Sequence, residues 1–150
     1  MNSIYGAAIL AAMAVACVGH GAAVHAKTMR IANLQPPAVT AASESLWHLR
    51  AGLNVAALSC RGSGRESVAP DYSRLLSRHR GLLASAYAAE QRRYRAGMDR
   101  HQTQLYNRFA FQPKPDQFCR SAALVASEAN GLDSPALARA APRLLSRLGG

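Results

Sequence analysis

The chain has 150 residues, nearly half of them apolar, and a formal net charge of +10. That length holds one domain, or one domain and a targeting segment. Aromatic residues make up only 6%, and Val and Ile thin out after the first 40 positions, so a β-rich fold is disfavoured and an all-α domain is expected.

The first 26 residues read as a signal peptide. Ile4 to Val18 is almost uniformly Ala, Ile, Leu, Met and Val, a run of h-region length and too short for an ordinary membrane span. Gly19, His20 and Gly21 break the run, and Val24-His25-Ala26 offers a cleavage site before Lys27, with Ala23 a second candidate. The segment before the run lacks the usual Lys or Arg. Acylation at Cys17, after Ala14-Val15-Ala16, ranks below plain cleavage because Ala14 stands where a lipoprotein signal usually has Leu. The expected location is therefore periplasmic or secreted. Residues 27–42, with Pro36-Pro37, read as a flexible lead-in, and 43–150 as a single helical domain.

The first predicted helix spans 43–60, with Thr40 or Ser43 as its cap. Leu46, Leu49, Leu53, Ala56 and Cys60 recur at spacings of three and four, giving one buried stripe that Trp47 and Leu58 widen. Gly52, Ala56 and Cys60 form a second line of small residues, which lets another element approach closely. Asn54 reads either as a buried hydrogen-bonding residue or as part of the wet face. Gly62, Ser63 and Gly64 mark a loop, and Pro70-Asp71 opens a second helix over 71–95. Its stripe runs through Tyr72, Leu75, Leu76, His79, Leu82, Leu83 and Ala86, and extends to Tyr87, Glu90 and Tyr94. Met98 to Phe111 reads as a third helix, which Pro113 and Pro115 end. Asp116 caps a fourth over 117–130, with Phe118, Ala122, Val125 and Ala129 on its stripe. Ser134-Pro135 starts a short C-terminal helix over 135–148, which Pro142 should bend.

These elements make an antiparallel four-helix bundle with the C-terminal helix across an open end or groove. With Cys17 removed by export, Cys60 and Cys119 remain, and an even count in an exported chain points to one disulfide. In an up-down-up-down bundle the first helix ends where the fourth begins, so the topology independently brings these two cysteines together.

The segment Trp47-His-Leu-Arg-Ala-Gly-Leu-Asn-Val-Ala-Ala-Leu-Ser-Cys60, with Asp71-Tyr72, Leu105-Tyr106-Asn107-Arg108-Phe109 and Phe118-Cys119, resembles a group of small, exported, uncharacterised bacterial helical proteins. The resemblance implies a helical fold and an exported location. It carries over no functional residue.

No catalytic constellation is visible, and no catalytic residue, metal or cofactor is assigned. The predicted mature chain has three histidines, His48, His79 and His101, none in a His-Glu-x-x-His pattern. Two of them on different helices could meet in a bundle core and bind a metal with a carboxylate. Separate, half-buried histidines are the expectation. Arg92, Arg93, Arg95 and Arg100, interleaved with Tyr94, form the densest charge and the candidate anion-binding site. The plainer reading of the same residues is a solvated helix end. Export argues against nucleic acid. The leading expectation is a non-enzymatic exported protein that binds an anionic envelope polymer or a protein partner. The alternatives are a small cell-wall hydrolase or hydrolase inhibitor, and a His-based metal-binding bundle.

Overall fold

The computed structural model describes residues 37–61 and 67–149. The predicted signal peptide, Cys17, most of the lead-in and the Gly62-Ser63-Gly64 loop lie outside the described residues. Among the described residues every element is helical: α1 (Pro37–Ser59), α2 (Ala69–Arg78), α3 (Arg80–Tyr94), a 3-10 turn (Arg95–Gly97), α4 (Met98–Ala110), α5 (Pro115–Gly131) and α6 (Ser134–Arg147). None of these helices is long and apolar enough to cross a membrane.

The bundle is built around α1. Leu46, Leu49, Leu53, Ala56 and Cys60 are buried as the spacing requires, and so are Trp47, Ala51, Val55 and Ala57 on the other faces. A helix that is apolar nearly all round belongs in the middle of a fold. Accordingly α1 packs most closely on α6 and α3, then on α4, and also touches α2 and α5. The leucines it buries, including Leu49 and Leu53, contribute about 1.5–3 kcal/mol each. The C-terminal helix is thus more than a cover over an open end. Leu137, Ala141, Leu144 and Leu148 are all buried, because they give α6 an apolar side that α1 can accept along its length.

Cys60, just past α1, is bonded to Cys119 near the start of α5, with Cα atoms 5.5 Å apart. Closing a loop of 59 residues by sequence separation is worth about 4 kcal/mol by restriction of the unfolded chain. Gly52 marks the closest approach to α1. A Cβ there would lie 3.0 Å from Phe109 Cε1 and 3.2 Å from Leu148 Cδ1. The small-residue line therefore receives a ring from α4 and a methyl group from beyond α6. Asn54 is half-buried and its Nδ2 donates to the Tyr72 hydroxyl at 3.1 Å, which ties α1 to α2.

Five local expectations are corrected. The first helix begins at Pro37 and not at 43, so 37–42 is helix and Thr40 and Ser43 lie inside it rather than at its cap. The helix predicted over 71–95 is two helices that meet at His79, whose backbone (φ −111°, ψ 24°) leaves the α region. Leu58 is 63% exposed because it lies on the side of α1 away from the Leu49–Leu53–Ala56–Cys60 stripe, and so it does not widen it. The cap of α6 is Asp133, whose carboxylate accepts from the Ala136 amide at 2.7 Å. Ser134 instead turns its hydroxyl to His79 Nδ1, 2.9 Å away. The helix predicted from 117 begins at Pro115, with Asp116 inside its first turn.

Candidate metal centre

Three helices meet at a polar point in a mostly apolar interior. On α1, the Leu46–Leu49–Leu53 stripe faces the core, and His48 stands beside it, facing α3. On α3, Leu83, Ala86 and Glu90 follow one another at spacings of three and four, so the stripe that buries two apolar residues also buries a carboxylate. On α4, His101 sits one turn in from Met98, on the side that closes over α3. The turn between α3 and α4 fixes their relation. Arg95 there has φ +45°, a conformation that costs a non-glycine residue of order 1–3 kcal/mol.

Glu90 is 2% exposed, and the side chains of His48 and His101 are 13% and 14% exposed. Glu90 Oε2 lies 2.8 Å from His101 Nε2 and 3.9 Å from His48 Nε2. At the first distance Glu90 and His101 are in ion-pair contact, while His48 stands about an ångström further off. All three atoms are buried and without a well-formed hydrogen bond among the described residues. The three ligating atoms lie within 4.8 Å of one another. Tyr94 covers the outer side, its ring stacked on His101 at 3.6 Å between centroids and 9° between planes. The two imidazole rings are 5.4 Å apart. One turn along the α1–α3 interface, Glu44 and Arg93 form an ion pair.

Burial pushes the Glu90 carboxyl above the usual carboxylate range, while the His101 imidazole pulls it back. Burial is also the main cause that lowers His48, partly opposed by the Glu44 carboxylate. A neutral imidazole is the form that ligates a metal, so this depression favours coordination. Two imidazoles and a carboxylate suit zinc and related divalent transition ions and leave at least one position open. Tetrahedral bonds of about 2.0–2.2 Å place ligand atoms roughly 3.3–3.5 Å apart. Movements of about 1 Å would bring the three atoms to that spacing. Searches of protein-family models, curated proteins and solved structures find no match to this chain.

Of the three histidines singled out in the sequence, the fold joins His48 and His101 and keeps His79 elsewhere. His79 is 1% exposed at the α2–α3 junction, against Ser134. Glu90 is the residue the sequence reading placed on a buried stripe without giving it a role. The available signal was its position: a carboxylate on a core stripe requires a partner, and few candidates exist in a chain with eight acidic residues. Arg92, Arg93, Arg95 and Arg100 all lie exposed around the α3–α4 corner. Arg93 is engaged by Glu44, with its guanidinium 5.7 Å over the Tyr94 ring.

Proposed function

We propose that this chain is a helical metal-binding protein that holds one zinc-class divalent ion through His48, Glu90 and His101. One observation carries this reading: three buried ligand atoms from three helices converge within 4.8 Å, none with a well-formed hydrogen bond and only Glu90 and His101 in direct contact. Burying an unsatisfied polar atom normally costs about 1–3 kcal/mol, and an ion bound at their centre would satisfy all three. Export to an oxidising compartment is part of the proposal, and the Cys60–Cys119 disulfide supports it. Zinc titration of the purified protein by calorimetry is the test. One ion per chain is expected, with binding abolished in Glu90→Gln and in His101→Ala and retained in His79→Gln. Equal binding by wild type and Glu90→Gln would refute it.

The hydrolase alternative gains an acid and a base in contact at Glu90 and His101, but Glu90 is almost fully buried, which keeps a polymer substrate away from it. A second reading, binding of an anionic envelope polymer, is favoured by the exposure of Arg92, Arg95 and Arg100 at one corner. It requires weak binding to an acidic glycan that salt abolishes. Affinity that survives the triple change of these arginines to Gln would exclude the charge mechanism.

A further inference from the structure

We propose that Glu44 is the fourth ligand of the His48–Glu90–His101 site, held off the ion by Arg93 until metal arrives. This rests on the metal-binding reading above. The register of α1 on α3 supplies the geometry. His48 faces Glu90, and Glu44 faces Arg93. Glu44 precedes His48 by four residues, so the two share a helix face with Cβ atoms about 5–6 Å apart. The Glu44 carboxylate lies outside the three-atom cluster, on Arg93, so it must swing from that guanidinium to reach the ion.

Charge gives the reason for the exchange. A divalent ion on two neutral imidazoles and one carboxylate leaves a net positive charge in a largely buried site. A second carboxylate neutralises it, and a buried charge is tolerated only when paired. Arg93 competes for the same carboxylate, but its side chain is 48% exposed and that of Glu44 is 29% exposed. An ion pair so open to water is worth a factor of about two to five in an equilibrium. Metal ligation exceeds that. Arg93 keeps a seat over the Tyr94 ring when it is released.

The test is zinc affinity of the full chain, measured for wild type, Glu44→Gln, Arg93→Gln and the double variant, with Glu90→Gln alongside. Glu44→Gln should bind at least tenfold more weakly, by a factor that stays the same in low and high salt, because ligation is not screened as a distant charge is. Arg93→Gln should bind about two- to fivefold more tightly, as Glu44 is set free. That gain should vanish in the double variant. If wild type and Glu44→Gln bind alike while Glu90→Gln does not bind, Glu44 is no ligand and the metal reading stands. A Glu44→Gln loss that fades with salt, or an Arg93→Gln gain that persists without Glu44, also overturns the proposal. If wild type binds no zinc, the metal reading itself fails.

Discussion

A metal site built into a core should weaken the empty fold, and Glu90→Gln measures by how much. Glu90 is 2% exposed, and its Oε2 has no well-formed hydrogen bond among the described residues. Leaving such a group unsatisfied costs about 1–3 kcal/mol, and more when it is charged. The His101 contact at 2.8 Å returns part of that. Exchanging the carboxylate for an amide of the same shape should therefore stabilise the metal-free protein by about 1–2 kcal/mol, or roughly 4–8 °C in Tm for a domain of this size. The pH dependence has a definite sign. Burial raises the folded-state Glu90 carboxyl above its ordinary value of 4.5. Between 4.5 and the raised value the folded state binds more protons than the unfolded one, so this group's penalty grows as pH rises through that window. The advantage of Glu90→Gln should be larger at pH about 8 than at pH about 5, shrinking as pH falls toward the ordinary value of 4.5. Thermal denaturation in a chelator, followed by circular dichroism at both pH values, reads it directly. A metal-free Glu90→Gln protein that melts below wild type at pH about 8 would refute the reasoning.

Gly52→Ala should destabilise the protein by about 1 kcal/mol, because overpacking against the buried Phe109 ring outweighs the helix propensity gained; urea unfolding measures it, and a higher midpoint would contradict it. Arg95→Gly should raise Tm slightly, by relieving the +45° φ at an exposed position; a loss of more than about 1 kcal/mol would show that the Arg95 side chain is needed. His79 is lowered below 6.5 chiefly by burial, so its contribution is complete above 6.5 and is lost as pH falls toward the folded value. The stability difference between wild type and His79→Asn should therefore narrow between pH about 7.5 and 5, and an unchanged difference would place the acid sensitivity elsewhere.

The helical architecture was readable because it rests on period. Leucines three and four apart on α1, and the alanine-rich stripe on α5, can be buried in only one way. The disulfide was readable because helix order brings Cys60 to Cys119, and because two cysteines remain if the chain is exported and Cys17 is removed. Local breaks were harder to see. Nothing in Arg78-His79-Arg80 punctuates a helix, so the division of α2 from α3 shows only in the backbone at His79. Asp133 and Ser134 are both good caps, and the choice between them was decided by a buried histidine that needed a hydroxyl. The candidate metal centre was half legible. His48 and His101 were visible as possible ligands, but sequence spacing does not reveal which helix faces meet across α1, α3 and α4. Glu90 is the residue that joins them, and its stripe position made it look like an extension of the core.

His48, His79 and His101 provide their own control for the central claim. Ring-nitrogen NMR of the full chain, recorded before and after one equivalent of zinc, distinguishes the two near Glu90 from the one against Ser134. The Nε2 resonances of His48 and His101 should move together and saturate at one ion, while His79 stays where it was. Zinc that moves His79 as much as the other two, or that moves neither His48 nor His101, would contradict a metal centre at this junction.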